Sequence, residues 1–301
     1  MAKTMCFTAA QDSLDKFVHT TCKPLFANEY LLHSGHSVST TNATATFVKR
    51  HGHFYAITCH HVLAAFQIEA LESNKLLVPS VHGGRLIHQL GGLITAEQYR
   101  WSFNSCRDFP TKEILSDPDA TETLQRANSV KPDVAIADIS SVWEAMSSIG
   151  GLSFINMDDW DQPNWTQLQP HMAAYGFPND HKSRQGDSVA VPMPRIVAKL
   201  QDAPSPDRPS FILYSTLDRE HGFGFSGVSG GPVVAEDTTQ DDLFHFVGIV
   251  YEGSPSSTID QVAQSIFSRS DIFLYCHHLT PNMFDVWLDS CLYGVQFSLK
   301  R

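Results

Sequence analysis

The sequence has few basic residues and no long apolar run. Its 301 residues carry 21 Lys and Arg against 32 Asp and Glu, which gives a formal net charge of −11. Nucleic acids and anionic membranes attract basic faces, so neither is expected as a partner. No apolar run approaches the roughly 18 residues of a membrane-spanning helix, and the start of the chain has no apolar stretch of signal-peptide length. We therefore expect a cytoplasmic protein.

Cysteine occurs at an ordinary density, and its spacing does not suggest a disulfide framework or a zinc site. The six cysteines include no C-x-x-C pair, and without an export signal we expect reduced thiols. Two pairs of histidines are adjacent, His60-His61 and His277-His278. Adjacent side chains of a strand point to opposite faces, so such a pair does not chelate one ion. No metal or other cofactor is expected.

Helical patterns are also few, and most of the chain consists of short β runs between polar or Pro/Gly-rich turns. Helices are predicted near residues 14–22 and 283–293, and less clearly near residues 114–127. Short strands at this frequency favour an all-β sandwich or barrel. The least patterned region, residues 85–131, is typical of an insertion or a mobile loop.

Three short motifs contain the residue types that acyl transfer by a serine requires. They are Thr58-Cys59-His60-His61-Val62 at the end of a β run, Asp133-Val134-Ala135-Ile136, and Gly227-Val228-Ser229-Gly230-Gly231-Pro232. A serine nucleophile needs a histidine base within hydrogen-bond reach and a buried carboxylate that orients the base. It also needs backbone N–H groups aimed at the oxyanion, and the glycines permit a tight turn in which the Gly227 and Ser229 amides converge.

In this order the motifs resemble those of the trypsin/chymotrypsin-like serine proteases, particularly the bacterial and HtrA-like members. The resemblance covers roughly residues 40–275 and implies a chymotrypsin-like, all-β fold of two antiparallel six-stranded β-barrels with a few short helices. It implies a serine endopeptidase that cleaves a protein or peptide substrate through an acyl-enzyme. His61, Asp133 and Ser229 would form the triad, and the Gly227 and Ser229 amides would form the oxyanion hole.

The resemblance also implies a division of the chain. Residues 1–40 would form an N-terminal extension, and residues 41–150 the first barrel with its insertion near residues 85–131. Residues 151–301 would form the second barrel and a C-terminal helix.

Substrate-binding residues follow from the same resemblance. Phe223 stands where trypsin-like relatives carry the acid that selects Arg or Lys, so Phe223 and Phe225 imply an apolar or shallow pocket. Tyr251, Glu252 and Gly253 belong to the strand that would pair with a bound peptide.

Activation is the last expectation that the resemblance provides. In trypsin-type zymogens an aspartate before the nucleophile binds the new N-terminus, and here that residue is Val228. No N-terminal processing is therefore expected, and a regulatory protein partner or the insertion could instead act on the oxyanion loop.

Alternatives exist for each catalytic residue and for the function. His60 competes with His61, although the T-x-x-H-V register favours His61, and Asp138 competes with Asp133 but should point to the other face of its strand. The motif around Ser229 also fits an α/β-hydrolase esterase, which needs a helix after the serine where this sequence has an apparent strand. The stronger rival is a catalytically silent protease fold that binds peptides.

Overall fold

The structure is a computed structural model of the chain. It describes residues 6–8, 11–29, 37–73, 77–82, 86–88, 93–95, 102–160, 162–179, 183–185, 188–205, 208–216, 225–240, 243–254 and 271–296. Within these ranges the protein is mostly β, with two large sheets and few helices. The mostly-β class predicted from the sequence is therefore confirmed.

The C-terminal half contains a closed barrel of six antiparallel strands. In barrel order these are β17 (Leu243–Ser254), β16 (Pro232–Asp237), β11 (Leu168–Tyr175), β14 (Arg195–Asp202), β15 (Ser210–Thr216) and β18 (Asp271–His278). β18 pairs with β17 as well as with β15, and this second pairing closes the ring. Phe211, Leu213 and Val247 are among the buried side chains of its core. One of the two predicted barrels is thus present.

A second large sheet is built mainly from the N-terminal half. Its strands, in order, are β19 (Val295–Gln296), β8 (Asn104–Ser105), β9 (Ala135–Asp138), β4 (His53–Thr58), β3 (Ser37–Arg50), β2 (Cys22–Glu29), β5 (Leu77–His82) and β7 (Leu93–Thr95). β10 (Ile155–Asn156) pairs with β3 in parallel. No pairing among the described residues closes this sheet, so a second six-stranded barrel remains a prediction.

Strands of the N-terminal segment belong to both large sheets. β1 (Cys6–Thr8) pairs with the start of β17, and β2 lies between β3 and β5. The segment 1–40, expected as an extension, therefore supplies strands to both sheets, and the domain boundaries themselves stay predictions. A small third sheet joins β6 (Leu86–His88) to β13 (Ser188–Ala190) and β12 (Ser183–Gln185).

The helices of the described ranges are short and lie outside the barrel. They are α1 (Gln11–Thr21), α2 (His60–Ser73), α3 (Lys112–Leu115), α4 (Pro118–Ser129), α5 (Trp143–Gly150) and α6 (Pro281–Leu292), with 3-10 turns at Ser140–Val142 and Trp165–Gln167. The predicted helices near 14–22 and 283–293 correspond to α1 and α6. The one near 114–127 is divided between α3 and α4, because Asp117 caps the amides of Asp119 and Ala120 and starts a new helix. No described helix is long and apolar enough to span a membrane.

Helix α2 corrects the sequence prediction of a strand that ends in a histidine. β4 ends at Thr58, and α2 begins at His60. The side chains of Val62, Leu63 and Phe66 are buried in the core of the N-terminal sheet. The prediction was wrong because a short continuous apolar run has the same composition in a buried strand and in the first turns of a buried helix.

The two sheets meet along β3. Alternate residues of β3 face opposite sides, as in any strand. Ala43, Ala45 and Phe47 are buried in the core of the N-terminal sheet. Thr44 and Thr46, which alternate with them, bind backbone groups of the C-terminal half. This strand positions the site described next.

Candidate active site

His61, Asp133 and Ser229 form a continuous line of hydrogen bonds where the two sheets meet. His61 Nδ1 lies 2.6 Å from Asp133 Oδ2, and His61 Nε2 lies 3.1 Å from Ser229 Oγ. Asp133 accepts the Nδ1 proton because an ionised carboxylate has no proton to donate. Nε2 is then left as an acceptor for the Ser229 hydroxyl. This is the arrangement in which an imidazole can remove a proton from a serine.

Each of these side chains stands at the end of a secondary-structure element. His61 is the second residue of α2, and its amide donates to Asp133 Oδ1 over 3.0 Å. Asp133 comes two residues before β9 and is buried, whereas the His61 side chain is 46% exposed. Ser229 precedes β16 and comes from the other half of the chain. The imidazole is therefore reachable from solvent while its carboxylate partner is shielded.

The Asp133 carboxylate is ionised despite its burial. Burial alone raises the pKa of Asp133, but the hydrogen bonds and charge of His61, together with the charge of Arg107, outweigh it and hold that pKa below its usual range. Arg107 Nη1 lies 3.5 Å from Asp133 Oδ1. Sequence reasoning did not single out Arg107, because it lies in residues 85–131, where the sequence shows no pattern.

His60 and Asp138, the competing base and acid, lie away from Ser229. The buried His60 has Nδ1 2.8 Å from Ser105 Oγ and its ring 4.7 Å from that of Phe109. Burial lowers the pKa of His60 to about 4. Asp138 is exposed, with one oxygen 3.7 Å from His53 Nδ1. The geometry therefore favours His61 and Asp133 over both alternatives.

The turn that carries Ser229 depends on two glycines with positive φ. Gly227 has φ +98° and Gly230 has φ +90°. A Cβ atom at Gly230 would also come within 2.0 Å of the Thr44 carbonyl oxygen. Within the turn, the amides of Val228 and Gly231 donate to other turn residues. Among the described residues, none accepts a hydrogen bond from the amides of Gly227 or Ser229. These two amides are thus available to the oxyanion of an acyl-transfer intermediate.

Strand β3 holds the carbonyl groups of this turn. The amide of Thr44 donates to Ser229 O over 3.0 Å, and its hydroxyl donates to Gly227 O over 2.9 Å. The hydroxyl of Thr46 donates to Gly230 O over 2.6 Å. Sequence analysis missed both threonines. Their alternation with apolar residues is also what a strand with one solvent-facing side shows.

Asn42 extends the same contact to a neighbouring turn. Its side-chain nitrogen donates to Phe177 O over 2.5 Å, and its backbone N–H donates to Asn179 Oδ1 over 2.8 Å. Asn179 in turn binds Ser226 through its amide and its side chain. Residues 177–179 and 226–230 are therefore held to β3 as one unit.

The predicted substrate-binding residues lie in different environments. Tyr251, Glu252 and Gly253 lie in β17, where β18 pairs with one edge of the strand. The pairing with β16 ends at Ile249, so the other edge of residues 251–253 has no strand partner among the described residues. Phe225 is only 1% exposed and packs in the barrel core against Gly253, so it offers almost no surface to a substrate. Phe223 lies outside the described residues.

The described part of the chain contains free thiols but no cluster of candidate metal ligands. No group of three or more His, Cys, Asp or Glu residues there could hold a metal ion. Cys22, Cys59, Cys106, Cys276 and Cys291 are free thiols. Two of them lie near Asp133, with Cys106 Sγ 3.1 Å from Pro132 O and Cys291 Sγ 3.9 Å from Val134 O.

Comparisons with known proteins found likenesses among solved structures. No known family matches the sequence, and no curated protein matches it. Among solved structures, the fold is similar to that of a thermostable serine protease, AL20, from an extremophilic microorganism. The TM-score is 0.45 and the identity 10%, over 92% of this chain and 99% of that chain. Values this low transfer neither a function nor the role of a residue.

Proposed function

We propose that the chain is a serine endopeptidase of the trypsin/chymotrypsin type, in which Ser229 is the nucleophile, His61 the base and Asp133 the orienting acid. The observation that carries the proposal is the line of hydrogen bonds from Asp133 through His61 to Ser229. The bacterial and HtrA-like members of this superfamily are the proposed relatives, on the sequence motifs alone.

The reaction follows from the positions of these groups. Ser229 Oγ attacks the peptide carbonyl as His61 Nε2 takes its proton, and the same nitrogen delivers that proton to the leaving amine. Asp133 keeps the proton of Nδ1 in place and stabilises the imidazolium. The amides of Gly227 and Ser229 bind the oxyanion. Water then repeats the sequence to release the acyl group from Ser229.

The edge of β17 beyond Ile249 supports a peptide as the substrate. An extended peptide can pair with the backbone of Tyr251 to Gly253 by adding a strand to the barrel sheet. Tyr251 O already lies 3.3 Å from Ser229 Oγ, so a peptide on this edge passes beside the nucleophile. Phe223 does not supply an acid for a basic side chain, so we expect little preference for Arg or Lys at the cleaved position.

An α/β-hydrolase has no support in the structure. A nucleophile elbow is followed directly by a helix, whereas Ser229 is followed by β16 and a closed antiparallel barrel. A catalytically silent peptide-binding module remains the second candidate, because the same β17 edge would serve it.

Labelling with a fluorophosphonate separates the two candidates. An active serine nucleophile forms a phosphonyl ester, which mass spectrometry of peptides assigns to one residue. We expect the label on Ser229 and its loss in Ser229→Ala and His61→Ala. Ser226→Ala is the matched control, since Ser226 belongs to the same turn and its hydroxyl is bound by Asn179. A label on another residue, or none on a folded chain that binds peptides, contradicts the proposal.

A further inference from the structure

Arg107 lies beside the carboxylate of Asp133 and also binds Lys131, at the end of the predicted insertion. Its Nη1 lies 3.5 Å from Asp133 Oδ1. Its Nε and Nη2 donate to the carbonyl oxygen of Lys131 over 2.9 and 2.6 Å. The Arg107 side chain is 19% exposed and that of Asp133 11%, so solvent screens this charge pair less than a surface pair.

The position of Arg107 is fixed by its neighbours. Asp108 and Asn128 bind each other through two hydrogen bonds of 2.9 Å, and Lys131 Nζ lies 3.1 Å from Asp108 Oδ2. These contacts join the two ends of the segment 108–131. Helices α3 and α4, which lie within that segment, have no buried residue. The backbone next to Arg107 is therefore held by contacts that do not involve its guanidinium.

Both oxygens of Asp133 are occupied. Oδ2 binds His61 Nδ1, and Oδ1 accepts the amide of His61 and faces Arg107. A carboxylate beside an imidazole favours the protonated ring, and a cation beside that carboxylate opposes this effect. Among the described residues, Arg107 is the one Lys or Arg within ion-pair distance of Asp133.

We propose that Arg107 is a positioning residue that acts through Asp133 and widens, towards acid, the pH range in which His61 can accept a proton. The inference rests on the proposed function for its role in catalysis. A purely structural role, in which Arg107 only ties the insertion to Lys131, is the competing explanation.

Several other groups face the same pair and remain in place in any test. They lie just before α2 and on it, within the predicted insertion, and on β17 and β18: Cys59, His60, Asp108, Lys131, Tyr251 and His277. Burial lowers the pKa of His277 to about 4, so it remains neutral over most of the range in which the effect of Arg107 is measured.

The test compares the titration of His61 by NMR in the full chain labelled with ¹⁵N-histidine. The His61 resonances are identified by their absence in His61→Gln. Arg107→Met removes the charge, and Arg107→Gln removes the charge but keeps hydrogen-bond donors for Lys131 O. Arg107→Lys keeps the charge and loses the paired donors. Arg126→Met is the control, because Arg126 lies on α4 of the same insertion and its ion pair with Glu122 is exposed.

We expect the His61 titration midpoint to rise by about half a pH unit in Arg107→Met and Arg107→Gln, as loss of one nearby charge predicts. It should stay near that of the parent in Arg107→Lys and Arg126→Met. A parental midpoint in whichever of the Met and Gln variants folds overturns the proposal. This readout needs no turnover, so it is separate from the labelling test of Ser229. In an active enzyme, the acid limb of kcat/KM should move in the same direction.

Discussion

The backbone amide of Thr44 donates a hydrogen bond to the carbonyl of Ser229, across the boundary between the two halves of the chain. The hydroxyl of the same threonine binds Gly227 O. Thr44 therefore binds the carbonyl groups of Gly227 and Ser229, the two residues whose amides are proposed for the oxyanion hole. The geometry of the turn thus depends on the N-terminal half.

Thr44→Val should lower kcat more than it changes KM. The substitution keeps the shape of the side chain and removes the hydroxyl that holds Gly227 O, so the oxyanion amides lose part of their alignment. We expect a decrease of about 10-fold or more in kcat, below the 10²- to 10³-fold effect of losing an oxyanion donor outright. Thr21→Val is the control, because Thr21 is buried and its hydroxyl binds Val18 O rather than a group of the turn. Equal effects of both variants on kcat would contradict the assignment.

Asp133→Asn should reduce kcat by roughly 10⁴-fold, because an amide no longer selects the His61 tautomer with an acceptor at Nε2. Asp138→Asn tests the alternative acid and should leave kcat/KM within about twofold, since Asp138 pairs with His53 at the surface. Steady-state kinetics on a peptide substrate measures both. Full activity of Asp133→Asn would assign the orienting role to another carboxylate.

Acidification should destabilise the fold before the carboxylates titrate. Burial lowers the pKa values of His60, His277 and His278 to about 4, so between about pH 6.5 and pH 4 the unfolded chain binds protons that the folded chain does not. As the pH is lowered through this range, the free energy of unfolding decreases by at most about 1.4 kcal/mol per pH unit for each histidine.

Urea unfolding across this pH range measures the effect. His278→Phe keeps a ring beside Trp165 and should reduce the slope by the share of one histidine. A slope as steep as that of the parent would show that His278 does not contribute. Asp133, whose pKa is lowered, adds a further loss of stability only below about pH 4.

Reducing agents should leave the melting temperature unchanged within about 2 °C. Five of the six cysteines, Cys22, Cys59, Cys106, Cys276 and Cys291, are free thiols, and a disulfide that constrained the fold would contribute about 2–4 kcal/mol. Differential scanning calorimetry with and without a phosphine reductant tests this. A fall of many degrees would reveal a disulfide that supports the fold.

The proposed enzyme should not require a cut near its N-terminus. Val228 is completely buried, and an apolar side chain offers no partner to a buried ammonium group, which is costly when unpaired. The hydrogen bonds from Thr44 and Thr46 of β3 hold the turn around Ser229 without such an ion pair. A chain with a blocked, uncleavable N-terminal extension should therefore label on Ser229 as the parent does. Labelling that appears only after cleavage within the first forty or so residues would contradict this.

The sequence alone indicates the candidate site, because the chemistry proposed for it depends on residue types in a fixed order. His61, Asp133 and Ser229 lie in short motifs whose glycines and apolar neighbours are visible without a structure. The start of α2 at His60 was not predictable, since the apolar residues from Ala56 to Phe66 suit a buried strand and a buried helix equally. Arg107 lies in a region without periodicity, and only the fold places it beside Asp133.

The threonines of β3 show a different limit. A polar residue on a strand normally indicates a position that is exposed to solvent, because an unpaired hydroxyl is costly to bury. Thr44 and Thr46 are fully buried, and their partners are backbone carbonyls about 180 positions away. No local pattern records such a partner, since carbonyl groups are common to every residue.

Because β3 holds the turn around Ser229, the candidate site forms only when the two parts of the chain are packed together. Ser229 and its glycines belong to one part of the chain, and the groups that shape the turn belong to another. A nick in the connection before β11 would yield two fragments, each with half of the chemistry and neither with the competent turn. If the proposed activity is present, it would return only when the fragments associate, and catalysis would then report the association of two polypeptides.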